Sequence, residues 1–281
     1  MKNEFSLKSN QKIIWIEITL ILLISISFKA HAQAQDALFS YLSEQIGLPR
    51  YTYHLKAVYP HDSQAFTQGL VYDKGILYES TGLFGESSLR KVDLNTGEIL
   101  RLIQISDTHF AEGLTLFGRI LIQLTWKSNL VFQYDQDTLE LQKTSSYPYD
   151  GWGITDDGNE LIVSDGSEVI RFLDPNDFSL LRKIQAHAGD RVIDRLNELE
   201  YIHGKIYSNV WYTDLILIIE PKNGEVTGWI DLKGLEEKSD LSNRILNGIA
   251  YDPEHNRLFI TGKNWHHVYE IQLIEEKTCD S

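Results

Sequence analysis

A short phrase, a polar or aromatic residue, then a small residue, then an aliphatic one, recurs along this chain and limits the folds open to it. The copies are Gln68-Gly69-Leu70, Glu112-Gly113-Leu114, Trp152-Gly153-Ile154, Asn197-Glu198-Leu199 and Asn247-Gly248-Ile249, and their first residues are 44, 40, 45 and 50 positions apart. A period of about 40 to 45 residues is that of a repeated four-stranded unit in which each copy buries its apolar face against the next. Each phrase runs through a turn into a second apolar strand, as at Ile76-Leu77-Tyr78 and Arg257-Leu258-Phe259-Ile260. Third strands follow, such as Leu130-Val131-Phe132 and Leu215-Ile216-Leu217-Ile218, most of them closed by turn residues such as Asp174-Pro175 and Asn223-Gly224.

Fourth strands are expected over Ile99–Ile105, Leu139–Thr144, Ser179–Ile184 and Glu225–Asp231, but the last repeat ends at Leu273 without one. The alternating segment Tyr51–Tyr59, ahead of the first repeat, can supply it. The chain therefore reads as all-β, a five-bladed β-propeller with an N-terminal strand closing the last blade. Six Trp, fourteen Tyr, eleven Phe and 19 Gly suit such a fold, since aromatics fill pleated half-buried surfaces and Gly serves turns. A β-sandwich with irregular spacing shares that composition, and only the fixed period speaks against it.

The ends of the chain carry separate information. Lys2, Lys8 and Lys12 precede an apolar run from Ile18 to Phe28, and Ala30-His31-Ala32 has the small-x-small pattern of a signal-peptidase site. The run is short for a bilayer span of about 20 residues and Glu17 interrupts its near side. The expected organisation is a signal peptide over 1–32, a partly helical leader over 33–50, a catalytic propeller over 51–274 and a tail over 275–281, in a secreted or periplasmic protein that leaves the membrane once cleaved. A formal charge of −14 with no basic patch excludes a nucleic-acid partner. The single Cys279 excludes an intrachain disulfide framework and a cysteine zinc site.

In an antiparallel hairpin the start of one strand lies beside the end of the next, so the phrase residues and the ends of the second strands meet at one mouth of the ring. Five residues on from the aligned positions Leu77, Leu121, Leu161, Ile206 and Leu258 lie Gly82, Trp126, Gly166, Trp211 and Lys263. With Gln68, Glu112, Trp152, Asn197 and Asn247 they form a ten-residue rim holding three Trp, one acid, one ammonium, three carboxamides and two Gly. Taken singly, each Trp could be core, each charge solvated and each carboxamide a turn residue. Taken together they make an aromatic-walled site for a small polar substrate.

At these residues the chain resembles the glutaminyl cyclases of the plant and bacterial type, also called glutamine cyclotransferases. The stretches that carry the resemblance include Ala65-Phe66-Thr67-Gln68-Gly69-Leu70, Phe110-Ala111-Glu112-Gly113-Leu114-Thr115, Gln123-Leu124-Thr125-Trp126, Gly151-Trp152-Gly153, Asn209-Val210-Trp211 and Thr261-Gly262-Lys263, across His54 to Leu273. The resemblance implies a secreted enzyme, expected as a monomer, that turns the N-terminal glutamine of a peptide or protein into pyroglutamate and releases ammonia. It implies Glu112 as acid/base, Asn197 and Lys263 as polar partners of the reacting amide, and Phe66, Gln68, Phe110, Trp126, Trp152 and Trp211 as the pocket wall, with Asn247 as a further substrate contact. No cofactor is implied, although a structural cation in the channel would be compatible. Asn264-Trp265-His266-His267 departs from the proline-containing loop expected there. Cleavage after Ala32 would expose Gln33, itself a substrate for such an enzyme.

Two readings from other classes stand beside this one. A secreted propeller could bind a peptide or sugar without chemistry, because a ring mouth is a general recognition surface. A calcium-dependent hydrolase or lactonase would need several oxygen ligands on one metal, and Glu112 is the only acid among the ten rim positions.

Overall fold

The computed structural model describes residues 35–236 and 244–276, so the signal-peptide segment, Gln33 and Cys279 lie outside the described residues. The first strand, β1 (Arg50–Pro60), is followed by three antiparallel four-stranded sheets in chain order. These are β2 (Thr67–Asp73), β3 (Ile76–Thr81), β4 (Ser88–Asp93) and β5 (Ile99–Gln104); then β6 (Ala111–Phe117), β7 (Ile120–Thr125), β8 (Leu130–Asp135) and β9 (Leu141–Ser146); then β10 (Ile154–Asp156), β11 (Leu161–Ser164), β12 (Val169–Leu173) and β13 (Leu180–Gln185). A small hairpin, β14 (His187–Ala188) and β15 (Arg191–Val192), separates them from β16 (Leu196–Ile202), β17 (Lys205–Val210), β18 (Leu215–Ile219) and β19 (Val226–Asp231). The described chain ends with β20 (Ile245–Asp252), β21 (Arg257–Lys263) and β22 (His267–Glu275).

The last two groups form one eight-stranded sheet because β1 joins them. It pairs antiparallel with β22 from Tyr51↔Glu275 to Pro60↔His267 and parallel with β19 only at Arg50↔Trp229 and Tyr51↔Ile230. The segment expected to complete the last repeat thus does so, and it also fastens that repeat to its neighbour.

The fold is all-β, and its first strands touch in a closed cycle: β2 with β6, β6 with β10, β10 with β16, β16 with β20, and β20 with β2. Apolar clusters fill the spaces between successive sheets, as with Leu70, Phe259 and Val268 where the last sheet meets the first. The recurring small residue explains how the inner strands approach so closely. A Cβ at Gly69 would lie 2.3 Å from Leu114 N, one at Gly113 2.6 Å from the Trp152 carbonyl oxygen, and one at Gly153 2.1 Å from that of Asn197. Any side chain there would push neighbouring sheets apart. In the one copy without glycine, Glu198 sends its carboxylate across the gap to accept the Ile249 N–H at 2.9 Å.

The leader is helical over 35–40 and continues as a π-helical turn, Tyr41–Gln45. It covers the apolar end of the sheet holding β16 to β19: Leu42 is fully buried, Phe39 packs edge-on to Trp229 at 4.9 Å, and the Tyr41 hydroxyl donates to the Ala188 carbonyl at 2.6 Å. Burying a leucine side chain is worth about 1.5–3 kcal/mol, so this segment belongs to the core. Among the described residues no helix is long and apolar enough to cross a membrane.

Candidate active site

The phrase residues sit where their strands lose regular pairing. Register shifts fall between Thr67 and Gly69, Ala111 and Leu114, Leu196 and Leu199, and Leu246 and Ile249, bracketing Gln68, Glu112, Asn197 and Asn247. A bulge re-aims the side chain it carries, and here the same irregularity recurs at a polar residue in four repeats. In the remaining one, β10 starts just after Trp152-Gly153.

A cavity of about 220 Å³ opens at this mouth, lined by Phe66, Gln68, Phe110, Glu112, Trp126, Trp152, Asn197, Trp211, Tyr212, Ile245 and Lys263. The structure therefore brings together nine of the ten residues expected to act on or hold the substrate. The tenth, Asn247, is fully buried behind the wall, where its Nδ2 donates to the Thr67 carbonyl at 2.9 Å and to Gln68 Oε1 at 3.2 Å. With that oxygen engaged, no described residue accepts the amide hydrogens of Gln68, which are left for a ligand. Tyr212 and Ile245 were not among the expected lining residues: Tyr212 sits one position beyond the counted Trp211, in a turn with φ +63°, and packs on that indole at 4.3 Å.

The walls are built from rings in edge-to-face contact. Trp152 meets Trp211 at 5.2 Å and 84°, Phe110 meets Trp126 at 5.8 Å, and Phe66 meets Phe110 at 6.3 Å. The two rim glycines lie against these rings. A Cβ at Gly82 would stand 2.4 Å from the Phe110 ring, and one at Gly166 2.7 Å from the Trp152 indole. Their lack of a side chain sets the depth of the wall.

Glu112 and Lys263 are 5% and 4% exposed, and no described residue hydrogen-bonds either charged end. Burial drives the Glu112 carboxyl well above the usual carboxylate range; Lys263 pulls it back only in part, and Asp150 adds to the rise. Burial likewise depresses Lys263 to about 8, against the opposing pull of Glu112. The ammonium lies 4.6 Å from the Phe66 ring centroid, a cation–π contact that holds it without neutralising it. Asn197 is 2% exposed and its Oδ1 has no hydrogen-bond partner among the described residues. A buried acid, a buried amine and an unsatisfied carboxamide thus line one apolar cavity, an arrangement that can hold a polar ligand and exchange protons with it.

Further acids lie deeper along β16 and β10. Glu198 is raised well above the carboxylate range by burial and by Glu200, while Glu200 is pushed up to about 8 by burial and by Asp156. Among the described residues no three His, Cys, Asp or Glu side chains are grouped to hold a metal ion.

Comparison with known proteins gives a consistent result. Residues 20–273 match the family model described as glutamine cyclotransferase. A glutaminyl-peptide cyclotransferase of Arabidopsis thaliana is 44% identical over 223 aligned residues, with 77% of this chain and 70% of the relative covered. The crystal structure of Myxococcus xanthus glutaminyl cyclase superposes with a TM-score of 0.78 at 33% identity, over 82% of this chain and 100% of that one.

Proposed function

This chain belongs to the glutamine cyclotransferase family, and from that premise we propose how its own residues convert the N-terminal glutamine of a peptide or protein to pyroglutamate with release of ammonia. The carrying observation is the convergence of Glu112 and Lys263, both buried and both shifted toward neutrality, on one aromatic-walled cavity.

The substrate's α-amine must attack its own γ-carboxamide carbon, so the side chain has to fold back on itself. The indoles of Trp126, Trp152 and Trp211 and the rings of Phe66 and Phe110 hold that conformer by shape, offering its methylenes no competing polar contact. A free α-amine has a pKa of about 7.7–8.0, and burial that raises the proton affinity of the Glu112 carboxyl narrows the gap between the two groups, which lowers the cost of proton exchange. As the new N–C bond forms, the neutral Glu112 carboxyl hands its proton to the departing nitrogen and recovers one from the attacking nitrogen. The C–N bond of the carboxamide then breaks, leaving the lactam and ammonia. Lys263 and Asn197 steady the carbonyl oxygen while it carries negative charge; one preorganised donor of this kind is typically worth about 100- to 1,000-fold in rate. The sequence of steps calls on no cofactor.

We also infer that the sheets are five blades of a propeller, the eight-stranded sheet being two blades joined by β1; the closed cycle of first strands supports this. Export with removal of residues 1–32 is supported by the charge and hydropathy pattern of that segment.

The test is ammonia release from a Gln-Ala peptide. Wild type should turn over, and Glu112→Gln, which keeps the shape but cannot carry the proton, should not; wild-type-like turnover by the variant would overturn the assignment.

A further inference from the structure

The turn at 82–87, between β3 and β4, holds an aromatic ring outside the cavity in a way a plain connection would not require. Leu83 adopts φ +83° and Gly85 follows at +81°; a left-handed conformation is strained for leucine and persists only where its surroundings impose it. The surroundings do so here. The Gly82 N–H donates to the Phe66 carbonyl at 2.9 Å, and the Ser87 N–H and hydroxyl both donate to the Leu83 carbonyl at 2.8 Å. The Gln104 amide reaches the carbonyls of Gly85 at 3.2 Å and Ser87 at 3.1 Å. The hydroxyl of fully buried Ser87 also accepts the Ala111 N–H at 3.0 Å, and Ala111 is the residue between Phe110 and Glu112.

This fastening presents Phe84, which is 57% exposed, edge-on to Phe110 at 5.5 Å. Phe110 in turn lines the cavity. Ring contact therefore leads from the cavity wall, through Phe110, to a ring that faces solvent. Single exposed hydrophobics are ordinary, but one held out by a strained turn, anchored from several sides beside a reaction site, is not.

We propose that Phe84, with the outer edge of Phe110, is the subsite for the side chain of the substrate's second residue, so that the enzyme favours peptides with an aliphatic or aromatic residue after glutamine. The inference rests on the cyclase reading above. The cavity takes the glutaminyl residue, and the first side chain outside it belongs to the residue that follows. Covering part of an exposed phenyl ring should favour such a peptide by about fivefold, equivalent to about 1 kcal/mol.

Ammonia release from Gln-Leu-Ala, Gln-Gly-Ala and Gln-Asp-Ala, measured with wild type, Phe84→Ala and Phe84→Leu, tests this. Wild type should favour Gln-Leu-Ala over the other two by about fivefold in kcat/KM, mostly through KM. In Phe84→Ala that ratio should collapse toward one because the Gln-Leu-Ala value falls, and Phe84→Leu should keep most of it. A wild-type ratio near one, an unchanged ratio in Phe84→Ala, or an equal fall for all three peptides in that variant overturns the subsite while leaving the cyclase reading intact. No ammonia from any peptide with wild type would instead remove the cyclase reading and the subsite with it.

Discussion

Glu112 with Lys263 and Glu79 with His61 are each a buried carboxyl group paired with a buried base, yet they titrate in opposite senses. Glu79 and His61 touch: Nε2 lies 2.9 Å from Oε1, Thr67 donates to the same oxygen at 2.7 Å, and Arg90 stands 3.9 Å from the other. The second nitrogen of His61 faces the Trp265 carbonyl at 2.8 Å, so both ring nitrogens meet acceptors and only the imidazolium can donate to both. Burial alone would raise Glu79 and lower His61, but mutual charge and hydrogen bonding override it, holding Glu79 below its ordinary range and His61 above. Between Glu112 and Lys263 no such contact exists, burial wins, and both shift toward their neutral forms. Direct contact thus makes an ionised clamp, and separation by an open cavity makes two groups ready to exchange protons with a third.

The sharpest break of this comparison is Glu112→Gln. Loss of a positioned proton carrier should lower kcat by about 100- to 10,000-fold. Because the wild-type carboxyl is already driven toward its neutral form, thermal unfolding of the variant should be no lower than that of wild type.

The mirror experiment is Glu79→Gln, which leaves a buried cation without its counter-charge. Removing one partner of a buried pair costs about 3–5 kcal/mol, read by urea or thermal unfolding. The pH dependence has a definite sign. Glu79 is lowered, so its contribution is present above its unfolded value and fades as pH falls through its folded one; His61 is raised, so its contribution is complete below its unfolded value and fades as pH rises through its folded one. Wild type should lose this stabilisation at both ends of that window, and the variant's profile should be flatter. A variant as stable as wild type would show that the clamp does not hold the fold.

Lys263→Met comes next. Removing an oxyanion donor should lower kcat by about 100- to 1,000-fold, while replacing a desolvated amine with an apolar side chain beside a carboxyl that burial already drives toward its neutral form should leave stability about equal. Loss of both activity and stability would mean that Lys263 is a clamp like His61.

The inner half of this architecture was legible because one physical device is repeated. Each phrase from Gly69 to Gly153 marks a point where a Cβ would strike the neighbouring strand, and two of these three carry a bulge as well, so the period could be read without coordinates. The same count found Trp126, Trp211 and Lys263. It missed Tyr212 because a left-handed turn carries that ring back toward the cavity from an off-period position, and it put Asn247 on the rim, whereas the structure buries it behind Gln68, outside the cavity lining. The His61–Glu79 clamp belongs to no repeat and depends on a partner carbonyl at Trp265, 204 positions from His61 in the chain. The direction of the Glu112 shift was equally hidden, since burial and Lys263 oppose each other and only their separation decides between them.

The smallest effect separates the two pairs by titration. Lys263 is held at about 8, so the ammonium proposed to steady the oxyanion is half lost at that pH, and kcat/KM corrected for the neutral amine of the substrate should fall by about tenfold per pH unit beyond it. Lys263→Arg, if it retains measurable turnover, carries a cation that does not titrate in this range and should lose the alkaline limb. His61 also loses its proton on the alkaline side, but its departure should register in unfolding and in the chemical shifts of the ring rather than in a limb that an arginine in place of Lys263 can abolish. An alkaline limb that persists unchanged in Lys263→Arg would show that Lys263 does not set it, and the place of Lys263 in the reactive pair would fail.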